Sequence, residues 1–306
     1  MTALVNVIVI AGMLVAVPFG LRIAGDPAAR WSARWWPVAA IPGAVCLWLP
    51  RGTVAVALAA VYAAAAYGLA GIAAIRLARR RVFSPAEVAL LTALTCPSIA
   101  ASALVAERGG WHLFGFSLRI LELTVPHFHF AGFAAALIAG LVCRSAPGSG
   151  LAKAAALCVP AGTGLVFTGY FTGDEVELAG AAVLTAGMWA AALVTWTVVR
   201  PAAANPLTKA LFGISALTLA ATMVLALSYA AGEALGLPHL TLTWMAATHG
   251  VANAAGFALC GIAAWTRYQR ERALPGGAAP DRAGVDGPGP RGPHRGIRRA
   301  VPAPRP

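Results

Sequence analysis

The chain reads as an all-α, polytopic bundle of transmembrane helices, and three observations carry that reading. Of 306 residues, 59% are hydrophobic and 11% charged, where soluble domains carry about 25% charged residues. The mean hydropathy is +0.74, more apolar surface than a soluble domain of this length hides. The apolar residues gather into successive runs long enough to cross about 30 Å of hydrocarbon at about 1.5 Å per residue.

We read about nine spans, at 3–23, 36–50, 53–77, 86–106, 117–142, 152–172, 178–199, 208–231 and 241–265. The first has no basic stretch before it and no small-residue cleavage site after it, the pattern of a retained helix rather than a signal peptide. The second is short and holds Pro42 and Gly43, so a tilted crossing and a re-entrant segment are both open. The basic residues check the count. Arg22, Arg30 and Arg34 follow span one, and Arg76, Arg79, Arg80 and Arg81 follow span three. Arg144 and Lys153 lie between spans five and six, and Arg200 and Lys209 between seven and eight. The alternate loops hold Arg51, Glu107, Arg108, Asp174, Glu175, Glu177 and Glu233. Glu107 and Arg108 read there as a solvated loop pair. Lys and Arg favour the cytoplasmic side, so the N-terminus is expected outside and the C-terminus in the cytoplasm. Trp35, Trp36, Trp48 and Trp111 read as an interfacial belt.

Two regions follow: a helical membrane domain over 1–272 and a Pro/Gly/Arg-rich tail over 273–306. From Arg267 onward there are nine arginines against three acids, half of the net charge of +12. The tail lacks the large apolar residues that folding needs and is expected to be disordered and solvated on the cytoplasmic side, where it reinforces the topology, with contact to anionic headgroups the alternative. No ordered basic face points to nucleic acid. Cys46, Cys96, Cys143, Cys158 and Cys260 are scattered singly, with no C-x-x-C pair. They read as small buried hydrophobes rather than disulfides or zinc ligands.

The remaining polar groups at membrane depth carry the functional signal. The run "ELTVPHFHFAGFAAAL" puts Glu122, Pro126, His127 and His129 into span five, and "THGVANAAGF" puts His249 and Asn253 into span nine. "YFTGDEVELAG" presents Asp174, Glu175 and Glu177 at the outer end of spans six and seven. All lie in the outer half of the membrane. An ionisable group in hydrocarbon costs several kcal/mol unless it finds partners or lines a wet cavity. Pro126 lacks the N–H that the Glu122 carbonyl would accept, so the helix distorts there. His249 and Asn253 are four apart and share a face, as do Glu122 and His129 at seven apart. His127 and His129 lie about 200° apart around a regular helix. One is therefore expected to face the cavity and the other to bond a neighbouring helix. "HFAGFA" from His129 echoes "NAAGFA" from Asn253, which would let Gly132 and Gly256 bring spans five and nine together.

The motifs "TVPHFHFAGF", "GYFTGDEVELAG" and "WMAATHGVANAAGF", in that order, make the chain resemble the YndJ-like family of bacterial polytopic membrane proteins, over about Ala3 to Ala264. The resemblance implies a bacterial plasma-membrane protein and supports the choice of site residues. It implies no particular reaction.

The expected site is Glu122, His127, His129, Asp174, His249 and Asn253, in a cavity open to the outer leaflet. These groups suit an acid/base enzyme, an isomerase, cyclase or hydrolase, acting on a lipophilic isoprenoid- or polyketide-like substrate. A carboxylic acid (Glu122 or Asp174) would donate the proton, a neutral histidine accept one, and Asn253 orient the substrate. No G-x-S-x-G, H-E-x-x-H or aspartate-rich motif is present, which disfavours covalent serine chemistry and diphosphate ionisation. The alternative is a proton-coupled transporter for a small hydrophobic molecule, with a haem or metal protein built on paired histidines behind both. No cofactor is expected, and the partners are membrane lipids and the lipophilic substrate.

Overall fold

The computed structural model of the chain describes residues 2–81 and 83–274. Among them are α1 (Ala3–Ile23), α2 (Pro27–Cys46), α3 (Thr53–Arg80), α4 (Pro85–Gly109) and α5 (Leu118–Ser145). There follow α6 (Gly150–Thr172), α7 (Asp174–Val199), α8 (Pro206–Leu235) and α9 (Leu242–Ala273). Every one except α2 is long and apolar enough to cross a membrane, and no strand occurs among the described residues. The protein is a multi-pass, all-α membrane bundle. The expected tail lies, beyond Leu274, outside the described residues.

The second element differs most from expectation. It begins at Pro27, well before 36, because Asp26 accepts from the Ala29 backbone N–H (2.9 Å) and proline occupies the first helical position. Arg30 and Arg34, expected in a loop, stand inside it. Its ends are fixed to the ends of its neighbours. Asp26, just before it, pairs with Arg76 in the last turns of α3, and Arg76 also pairs with Glu87 in the first turn of α4. Beyond its other end, Arg108 in the last turn of α4 donates to the Cys46 and Leu49 carbonyls (3.3 and 3.2 Å). α2 thus runs the same distance between the two faces of the bundle as α3 and α4 do.

These links define two faces. At the N-terminal face Asn6 of α1 donates to the Leu47 carbonyl (3.0 Å), and Arg51 bonds Glu107 (2.7 Å). At the opposite face Arg144 of α5 donates to the Ala24 carbonyl (3.1 Å), and Gln269 of α9 to that of Ile23 (3.0 Å). Glu107 and Arg108, read as solvated, are buried at 2% and 6% exposure and paired with each other. Trp36 is likewise buried rather than interfacial, its indole N–H donating to the Met13 carbonyl (2.7 Å), while Trp35, Trp48 and Trp111 are exposed. All five cysteines are free.

Two packing devices shape the middle of the bundle. α6 and α7 approach backbone to backbone: a Cβ at Gly169 would fall 2.5 Å from the Glu177 nitrogen, and one at Gly180 2.4 Å from that of Val166. The acidic segment expected as an outer loop is accordingly helix on both sides of a break at Gly173, where φ is 136°. Second, π-turns widen α1 at Gly12–Ala16, α5 at Phe128–Ala134 and α9 at Asn253–Leu259, and the three turns pack on one another. A wide turn disturbs the usual backbone pairing, and buried carbonyls need donors. Side chains supply them: Trp36 to Met13, His129 Nδ1 to Val125 (2.7 Å) and Ser215 to Phe257 (2.9 Å).

Gly132 and Gly256 do not bring α5 and α9 together as the echo between them suggests. Gly132 makes room for Cys96 of α4, and Gly256 for Thr218 of α8. Each glycine serves a different neighbour, because the helices beside α5 and α9 are α4 and α8.

Candidate functional site

Six helices, α1 and α5–α9, and the turn before α5 enclose a cavity of about 570 Å³. Its mouth is at the N-terminal face, where Phe116, Gly173, Asp174, Glu233 and Leu242 lie at the ends of their helices. From Leu242 down to Asn253, also on its wall, α9 descends about 17 Å at 1.5 Å per residue. The cavity therefore ends near the middle of the bundle, above the packed π-turns. Its wall is mostly apolar, and it holds no Lys or Arg.

Four of the six expected residues line it: His127, Asp174, His249 and Asn253. His127 follows Pro126 and immediately precedes the π-turn of α5. It makes no hydrogen bond to any described residue, so its ring nitrogens are presented to the cavity. His249 lines the same cavity from α9. Asp174 opens α7 and, with Glu175 and Glu177, gathers carboxylates in its first turn, where the helix dipole favours them. Glu175 and Asp174 are exposed; Glu177 is half-buried and faces the cavity.

His249 and Asn253 form a closed circuit with α8. The His249 Nδ1 lies 2.9 Å from the Thr222 carbonyl, which can only accept, so this nitrogen carries the proton. Its Nε2 then accepts from the Asn253 amide nitrogen (2.9 Å), and the Asn253 Oδ1 accepts from the Thr222 hydroxyl (2.8 Å). The i, i+4 spacing of His249 and Asn253 makes this possible. Both His249 nitrogens are engaged. The amide retains one N–H for a ligand.

The other two expected residues stand apart. His129, within the π-turn itself, is 0% exposed, with Nδ1 donating to Val125 and Nε2 accepting from the Tyr62 hydroxyl of α3 (2.5 Å). Its Cβ and ring meet Gly12 of α1, where any side chain would collide. Its two-residue offset from His127 turns it to the opposite side of α5. Glu122 faces away from the cavity too. One oxygen lies 3.4 Å from Arg119, and the other is buried with no hydrogen-bond partner. A metal shared by the histidine pair would need His129, whose nitrogens are already used. Among the described residues no group of three or more His, Cys, Asp or Glu is arranged to hold a metal ion.

Residues not expected at the site are Tyr170, Thr222, Tyr229 and Glu233. Tyr170, Tyr229 and Glu233 line the cavity, and His239 pairs with Glu233 (3.0 Å) and packs edge-on against Tyr229 (5.1 Å between ring centroids). Tyr170 lies inside the quoted "GYFTGDEVELAG" and was open to notice. Thr222 and Tyr229 are isolated polar residues on an apolar helix and carry no local signal.

No curated protein and no solved structure matches this chain. The family model described as YndJ-like protein matches residues 7–257, from α1 into α9, and the chain belongs to the YndJ-like family.

Proposed function

We propose that this protein is a membrane-embedded acid/base enzyme of a bacterial plasma membrane, an isomerase, cyclase or hydrolase, acting on a lipophilic molecule that enters from the extracytoplasmic leaflet. The observation that carries the reading is His127: an imidazole without a protein partner, held in an apolar cavity beside a fixed amide. A general acid or base has to reach its substrate, so its nitrogens must be unclaimed before the substrate arrives. His127 meets that requirement, whereas His249 and His129 do not.

The roles follow from the bonding. His127 takes a proton from the substrate or gives one to it. Asn253, oriented by His249 and Thr222, offers its spare N–H to a substrate oxygen and stabilises charge that develops there. Asp174 and Glu177 at the mouth exchange protons with water, resetting His127 between turnovers. His249 is a positioning residue, holding Asn253. A transporter would need an equivalent path to the opposite face. The cavity wall ends instead at mid-depth over three interlocked π-turns, which favours chemistry over passage.

The test compares lipid-soluble extracts of cells expressing the wild-type chain, His127→Gln or an empty vector, resolved by chromatography and mass spectrometry, with membrane levels of the protein matched. We expect a lipophilic product in wild-type cells that disappears in His127→Gln, while its precursor accumulates. Identical extracts from all three overturn the enzyme reading.

A further inference from the structure

A second, smaller pocket of about 210 Å³ lies beside the cavity, between α4, α5 and α6 and beneath the turn at Leu113–Gly115. It shares four wall residues with the cavity: Phe116, Ile120, Thr124 and Tyr170. A single layer of side chains divides the two spaces. On the far side the wall is Ile99, Ala103, Leu113, Leu121 and Phe167. Its two aliphatic hydroxyls are committed to backbone, Thr124 to Ile120 (2.8 Å) and Ser102 to Ser98 (2.8 Å), so the pocket offers a ligand almost nothing but hydrocarbon.

Two of the four side chains in the partition, Phe116 and Tyr170, are aromatic rings. Phe116 packs edge-on against Phe171 (5.3 Å) and Tyr170 (6.2 Å), and Phe171 against Phe114 (5.6 Å). Phe114 has φ of 55°, a strained left-handed conformation for an aromatic residue, and is 72% exposed. The turn is held over the pocket by these ring contacts together with its own bonds, Gly115 N–H to the His112 carbonyl (2.9 Å) and Phe116 N–H to that of Leu113 (3.2 Å).

The cavity has the opposite character. Its mouth carries three carboxylates, Asp174, Glu177 and Glu233, of which Glu233 has the His239 imidazole beside it, and its lining has no Lys or Arg. A phosphate or carboxylate head would meet like charge at that mouth, with no Lys or Arg in the lining to balance it.

We propose that the small pocket is the chain-binding branch of the cavity, and that its occupant is the hydrocarbon chain of a single-chain amphiphile whose head carries no negative charge. The head passes the carboxylates at the mouth and rests beside His127, and the chain lies past Phe116 and Tyr170 in the branch. This rests on the cavity being the functional site and adds the substrate class.

The test uses the full chain in lipid nanodiscs and three photoreactive probes: a long-chain alkanol, the matching alkylamine and the matching alkyl phosphate, each with a diazirine at the chain end. After irradiation, mass spectrometry locates the adducts. We expect the alkanol and amine to label 99–103 and 120–124, and the phosphate to label them about tenfold less, as like-charge repulsion of roughly one such step in affinity predicts. Ile120→Trp and, independently, Ala103→Phe fill the branch and remove that labelling while leaving the unfolding temperature within the wild-type range. If one of them misfolds, the other decides. His127→Gln keeps the labelling even though turnover stops, so loss of activity without loss of labelling leaves the inference standing. Adducts confined to lipid-facing positions, or unchanged in both filled variants, overturn the branch. Equal labelling by the phosphate overturns the uncharged or cationic head.

Discussion

The ends of α2–α4 and the cavity among α1 and α5–α9 both gather charge, and they handle it in opposite ways. At one end of α4, Glu107 is shared by Arg51 and Arg108; at the other, Arg76 binds Asp26 and Glu87 together. Each acid there has a guanidinium, and the groups are satisfied within the protein. In the cavity, carboxylates collect without any Lys or Arg, and an imidazole is left with no partner. Burial of charge alone therefore does not mark function. The proposed function rests on charge of the other kind, carboxylates that line a cavity without a guanidinium.

The sharpest break in that contrast comes from the paired region. Glu107→Ala leaves the Arg108 guanidinium buried against carbonyls alone and should cost about 3–5 kcal/mol, as removal of one partner from a buried pair does. Asp174→Asn, at the exposed mouth, should change stability by less than about 0.5 kcal/mol. Unfolding in detergent mixtures measures both. Equal losses would mean that the mouth carboxylates are structural after all.

This asymmetry was only half legible in the sequence. Length and hydropathy carried the eight long apolar helices, because a bilayer imposes those constraints on every span separately; the alternation of basic loops counted Arg30 and Arg34, which stand inside α2. The start of α2 was missed because Arg30 and Arg34 lower its hydropathy, although Asp26–Pro27 is a clear start signal. Glu107 and Arg108 read as solvated because adjacent opposite charges near a span end usually are; their burial depends on Arg51 and the carbonyls at the end of α2, which no local pattern reveals. In α5 the spacing required His127 and His129 to face opposite ways. Which one took the cavity was decided by Tyr62 and by the space at Gly12, on helices far away in the chain.

Tyr62 accordingly offers the next test. Nε2 of His129 accepts from its hydroxyl inside the core, so Tyr62→Phe strands a buried acceptor and should cost about 1–3 kcal/mol. Adding His129→Leu removes the stranded nitrogen, and the double variant should lose less than the two single variants summed, the signature of a direct contact. Additive losses would show that the pair does not support the π-turn of α5 as a unit.

The smallest effect on stability falls on the circuit beside the cavity. Thr222→Val keeps the shape and removes the hydroxyl that orients the Asn253 amide. Hydrogen bonds between helices in membranes average about 0.6 kcal/mol, so the unfolding free energy should move by about that amount. Its effect on the site should be out of proportion, because the Asn253 Oδ1 loses its donor and the amide is then held by the His249 Nε2 bond alone. Product formation should therefore drop in Thr222→Val cells while the protein remains as stable as the mouth variant. If stability falls instead as far as in Tyr62→Phe with product formation unchanged, then His249, Asn253 and Thr222 belong with His129 among the groups that hold helices together. His127 would then stand alone as the chemically available residue.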